Sequence, residues 1–113
     1  MSVSYFVRYD VTAPDVAGFL DYYRRHHVPI LARWPGVRRI VLHTAAAWSD
    51  PAPVNRGTAV LLAQLEFENS AGLQAALAST QRAEARRDFE SFPPFEGTVT
   101  HQAMFSEEAW RSA

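Results

Sequence analysis

The sequence predicts an α+β fold of the ferredoxin-like kind, a four-stranded antiparallel sheet in the order βαββαβ. Three observations predict it. Four segments are rich in β-branched and aromatic residues at strand length, two segments carry apolar residues at helical spacing, and turn residues separate them in that order. At 113 residues the chain is read as one domain spanning 1–113, with no internal repeat or low-complexity stretch.

The first strand is VSYFVRY, residues 3–9. "DVTAPD" ends it, with Thr12 as the expected N-cap of the next helix and Asp15 as its partner three residues on. In that helix Val16, Phe19, Leu20, Tyr23, Ile30, Leu31 and Trp34 form an apolar stripe, closed by Pro35-Gly36. The second strand is expected over 37–48, a polar loop over 49–57 and the third strand over 58–68. Asn69 or Ser70 caps a second helix, SAGLQAALAS, and TQRAEARRDFESF continues it after a break near Ser79. "PPFEG" interrupts the chain before the last strand, TVTHQAMF, 98–105, and the tail EEAWRSA is expected to add a short helix.

Two helices cover only one face of such a sheet. The third strand is nonetheless apolar on both sides, with Ala59, Leu61, Ala63, Leu65 and Phe67 on one and Val60 and Leu62 on the other. A charged fraction of 20% also leaves a small surface short of charge. The expectation is a homodimer through the bare sheet face, two sheets enclosing a barrel-like space.

Composition excludes several function classes. Net charge is −1, and the eleven basic residues, all arginine, form no stripe that would neutralise phosphates, so no nucleic-acid partner is expected. The absence of cysteine removes thiolate nucleophiles, disulfides and Cys-ligated metals. The N-terminus lacks signal-peptide character and the longest apolar run is too short to span a bilayer, so a cytoplasmic protein without a membrane partner is expected. There is no glycine-rich phosphate loop, nucleophile elbow or paired-carboxylate motif, and no cofactor is expected.

The chemistry centres on YYRRHHVPILARWPG, 22–36. At about 100° per residue from Val16, Tyr23 and His27 fall within about 20° of the stripe's centre, and His26 near −80° flanks it. Pro29 removes a helical hydrogen bond to the carbonyl of Arg25, so the helix must kink or widen where the histidines are. A desolvated His27 is neutral at pH 7 and suited to proton transfer, with Tyr23 or Tyr22 as companion. The alternative is that His27 is a satisfied core residue, His26 a surface residue and both tyrosines packing. Adjacent histidines diverge by about 100° and cannot chelate one metal, so no metal site is expected. His43 and His101, on the second and fourth strands, reach the same cavity if those strands are neighbours. Arg8 is a candidate anchor for an anionic substrate or an ordinary cross-strand ion pair. Trp34, Trp48 and Phe92 to Phe95 are candidate walls for a flat ring, or core.

The run Tyr23-x-x-x-His27-x-Pro29-Ile30, followed by Trp34-Pro35-Gly36, resembles the EthD family, named for ethyl tert-butyl ether degradation. The resemblance implies a dimeric α+β barrel. It also implies a small metabolic protein whose relatives include isomerases, polyketide cyclases and cofactor-free monooxygenases, in several of which a histidine at the helix–strand cleft is the acid or base. The matching residue is His27. A related methylisomerase chemistry uses a cysteine, which this chain lacks. The leading expectation is cofactor-free acid/base chemistry of the isomerase, cyclase or decarboxylase type on a hydrophobic or aromatic metabolite. The alternatives are a non-catalytic ligand-binding accessory protein and a cofactor-free monooxygenase.

Overall fold

The computed structural model describes all 113 residues. Its strands are β1 (Val3–Thr12), β2 (Arg39–Thr44), β3 (Leu61–Phe67) and β4 (Glu96–Phe105), paired antiparallel in the order β2-β3-β1-β4. Between β1 and β2 lie α1 (Val16–Tyr22), a π-helical segment (Tyr23–His27) and α2 (Val28–Leu31). Between β3 and β4 lie α3 (Ser70–Leu77), α4 (Thr80–Asp88) and a 3₁₀ turn (Phe89–Ser91). This is the βαββαβ arrangement the sequence predicts.

Strand alternation sorts β1 onto two faces. Tyr5, Val7, Tyr9 and Val11 are buried under the helices, joined across β3 by Leu61, Ala63, Leu65 and Phe67. Each fully buried apolar side chain of this size stabilises the fold by about 1.5–3 kcal/mol. The register fixes the other face: His43 lies beside Leu62, Leu62 beside Arg8 and Arg8 beside Thr100. Helix-side neighbours run Leu42, Ala63, Val7 and His101.

The expected disturbance at Pro29 is a widening. Pro29 has no N–H, and over Tyr23–His27 the chain switches to π-type bonding, so that the N–H of Val28 reaches the carbonyl of Tyr23 five residues back. The widened turn explains the burial pattern. Phe19, Tyr23, His27 and Leu31 are all buried, yet a spacing of four drifts by about 40° per step on an ideal α-helix. Opening the turn takes up that drift and holds the four on one line. Val16, expected on the stripe, is 42% exposed at the first position of α1.

Boundaries differ from expectation where pairing or capping overrides local pattern. β1 continues to Thr12, paired with Glu96, so Thr12 is no cap; the Asp15 carboxylate accepts from the Gly18 N–H instead. β2 ends at Thr44, and residues 45–60 form no helix or strand because β3, the only strand beside β2, begins at Leu61. Asn69 caps α3, and Ser79 both ends it and caps α4. The tail after Phe105 has no helix; Ser106 bonds back to Ser2, and the last residues are exposed. Gly36, at φ 79°, makes the turn after Trp34-Pro35 that aims the chain into β2. No helix is long and apolar enough to cross a membrane.

Candidate functional site

The π segment turns His27 onto the helix-side face of the sheet, where it is 5% exposed. Its Nδ1 lies 2.9 Å from Oδ2 of Asp88, the last residue of α4. A carboxylate only accepts, so Nδ1 carries the proton and donates it, leaving the Nε2 lone pair free. The other Asp88 oxygen accepts from the Tyr22 hydroxyl at 2.8 Å. One carboxylate therefore ties together the first helical layer and the second.

Aromatic rings enclose the imidazole. Phe92 stands edge-on to it, with centroids 4.7 Å apart and planes at 87°, and the Tyr23 ring lies 4.9 Å away. Phe92 also packs on Tyr9, Phe19, Tyr22 and Phe89. Burial pushes the His27 pKa down and the Asp88 contact only partly offsets it, so the ring is mainly neutral at pH 7. Tyr23 is pushed well up by burial and by the neighbouring Tyr9 hydroxyl, so it keeps its proton. The hydrogen bond to Asp88 raises Tyr22.

His27 borders a cavity between the sheet and the helices. Its walls include Tyr5, Val7, Tyr9, Tyr23, Trp34 and Phe89, and its rim carries Arg82, Arg86 and His101. Its room is about 30 Å³, enough for one or two water molecules or a head group of a few atoms. His101 takes part through Nδ1, 2.7 Å from the Tyr5 hydroxyl. Its pKa is lowered by burial first and then by Arg86 and Arg82. No group of three or more His, Asp or Glu side chains is placed to hold a metal ion.

The structure thus brings His27, Tyr23, Trp34 and His101 to one cavity and ties Tyr22 to it through Asp88. It separates the rest. Arg8 lies on the opposite face of the sheet and pairs with Asp10 at 2.8 Å. His43 is on that face too, 3.1 Å from Gln64, since it pairs with Leu62 and through it with Arg8; β2 and β4 are moreover opposite edges of the sheet. His26 is exposed and stacks on Tyr22 at 4.7 Å. Trp48 lies outside the cavity, with Arg56 over its ring. Sequence reasoning missed Asp88, Arg82 and Arg86. Asp88 had a signal: an acid at a helix C-terminus opposes the helix dipole and calls for a partner elsewhere.

No family model matches the chain. It is 35% identical over 94 residues to the uncharacterized 11.0 kDa protein of the thcB-thcC intergenic region of Rhodococcus erythropolis, covering 83% of this chain and 84% of that one. Among solved structures, an ethyl tert-butyl ether degradation (EthD) family protein of Bacillus halodurans superposes with a TM-score of 0.75 at 18% identity, over 95% of this chain and all of that one. The ActVA-Orf6 monooxygenase of Streptomyces coelicolor, solved with the ligand nanaomycin D, gives 0.69 at 17% identity over 99% and 93%. SnoaB, a cofactor-independent oxygenase of Streptomyces nogalater, gives 0.62 at 15% identity over 98% of both chains. The chain therefore belongs to the family of the Rhodococcus protein, and it shares the α+β fold of the EthD family protein.

Proposed function

We propose that this protein is a cofactor-free acid/base catalyst of small-molecule metabolism. In this reading Nε2 of His27 removes a proton from an acidic C–H or O–H of a hydrophobic, ring-bearing substrate at the cavity and returns it at another position. One observation carries it: the buried imidazole of His27 lines the cavity, its Nδ1 is bound to Asp88, and its Nε2 has no hydrogen-bond partner in the protein. Asp88 sets the tautomer and stabilises the imidazolium that proton transfer creates. Tyr22 holds Asp88 in place, and Trp34 and Tyr23 wall the site. A single positioned acid/base supplies roughly 10²–10⁴-fold, which suits activated carbon acids, hence isomerase, cyclase or decarboxylase chemistry.

The partner in this reading is a second copy of the chain. The open sheet face presents Phe6, Leu62 and Met104 among Arg8, Gln64, Thr100 and Gln102, and Met104 is 50% exposed. The Cα radius of gyration is 15.4 Å, against about 13 Å for a compact chain of this length. Exposed Trp48, Val54, Phe105 and Trp110 lie on the unstructured loop, the end of β4 and the tail, where a partner would cover them.

A second reading is cofactor-free oxygenation, favoured by the likeness to SnoaB and ActVA-Orf6. It shares the first step, since removing a phenolic proton yields the electron-rich anion. The test is deuterium exchange from D₂O into phenolic, β-keto and lactone substrates, followed by NMR beside an oxygen electrode. His27→Gln, which can still donate to Asp88, is expected to slow exchange about 10²-fold or more. Oxygen uptake matching substrate loss selects the second reading. Exchange unchanged in the variant removes His27 from both.

A further inference from the structure

Trp34 is 5% exposed and lines the cavity, yet its indole Nε1–H has no acceptor anywhere in the protein. Buried donors are nearly always satisfied, and leaving one unpaired is costly. Two cations border the same cavity. Arg82 and Arg86 sit one turn apart on α4, and no carboxylate lies within 4 Å of either. Arg82 is half-buried, and Arg86 stands 5.7 Å above the Phe89 ring at the rim. Both also lower the pKa of His101 at the same rim, after the larger effect of burial. Asp88 accepts from His27 and Tyr22 and lies more than 4 Å from both guanidinium groups.

An unpaired donor inside, two unpaired guanidinium groups at the rim and room for only a few atoms describe a receptor for one oxygen anion. We propose that this cavity binds an organic acid by its anionic oxygen, a carboxylate or the phenolate or enolate of an acidic ring. The oxygen accepts the Trp34 indole N–H, Arg82 and Arg86 balance its charge, and the ring lies outward toward Phe89 and His101. The proposal rests on the cavity being the ligand site of the preceding reading, but not on His27 moving a proton. If both hold, the same groups stabilise the oxyanion formed when His27 takes the proton.

Benzoate is the carboxylate probe, 4-nitrophenolate the phenolate probe and benzamide the uncharged match in shape. Binding is measured by calorimetry and by the ¹H–¹⁵N signal of the Trp34 indole, assigned by its loss in Trp34→Phe. At least one anion is expected to bind saturably and move that signal downfield, with benzamide at least about tenfold weaker. Which anion binds more tightly distinguishes the two oxygen sources. Arg82→Gln/Arg86→Gln is expected to weaken the anion about tenfold or more and leave benzamide unchanged. Trp34→Phe weakens it about tenfold. Anion binding is read on the wild type without turnover, so binding without deuterium exchange is a result about His27, and exchange without anion binding is a result about this site. The proposal is overturned if neither anion binds up to about 10 mM. It is equally overturned if benzamide binds as tightly as the anions, or if binding leaves the Trp34 signal in place.

Discussion

The two faces of the sheet are built from the same strands and do opposite things with polar groups. On the helix side, Tyr5, Val7 and Tyr9 of β1 meet Leu61, Ala63 and Leu65 of β3, and the polar groups admitted are few, among them His27 held by Asp88 and His101 held by Tyr5. On the open side, Arg8 meets Asp10, His43 meets Gln64, and Gln64 reaches Ser4, mostly in solvent. The difference teaches where chemistry belongs. A neutral imidazole with a fixed tautomer needs the dry face, where burial outweighs the pull of its carboxylate. A surface of mixed apolar and charged groups suits recognition of another surface.

The dry face is opened most directly at Phe92, whose ring touches His27 and Tyr9 and joins the second helical layer to the first. Phe92→Ala is expected to cost about 3 kcal/mol by cavity formation, a fall in Tm of roughly 12–20 °C for a domain of this size. Thermal unfolding by circular dichroism checks it. A loss under about 1 kcal/mol would mean that the ring does not seal the site.

How much of this was legible in the sequence depends on how local the cause is. The order of elements along the chain, the Asn69 and Ser79 breaks and the disturbed helix at Pro29 follow from neighbours in the chain, and all are seen. The position of His27 on the buried line was legible from spacing, although the spacing of four fits only because the turn widens. Asp88 was not legible as its partner, since 61 residues separate them and only the packing of α2 on α4 brings the layers together. Arg8 and His43 misled for the opposite reason. Their residue types fitted a cavity, but strand parity and the β2-β3-β1-β4 order put them on the other face. A strand residue's chemistry is read only after its face is known.

Next in size is a pH effect confined to the dry face. The folded-state pKa of His27 lies below its ordinary 6.5, so the unfolded chain binds the extra proton first as pH falls. The stability it contributes is full above about pH 6.5 and is lost as pH drops through the lowered value. His101, also lowered, adds in the same direction. Urea midpoints measured from pH 8 to pH 5 should therefore fall, and His27→Gln should flatten part of the fall. A fall as steep in His27→Gln as in the wild type would remove His27 from this pH effect.

The smallest effect is expected on the open side, at Arg8. Its partner Asp10 is held below the usual carboxylate range, first by the Arg8 hydrogen bond and then by Thr58, but both charges are solvent-accessible in the single chain. An exposed, water-screened pair of this kind contributes little, so Arg8→Ala should shift the urea midpoint only slightly at low protein concentration. The same substitution reads the covering of this face. If a second copy seals it, the pair loses water, and removing one partner leaves Asp10 buried without its cation, a loss of several kcal/mol. Stability of Arg8→Ala relative to the wild type should then worsen as protein concentration rises into the range where the dimer forms, with sedimentation velocity reporting association on the same samples. A small cost at every concentration, with the wild type sedimenting as a single chain, would make the open face a solvent face.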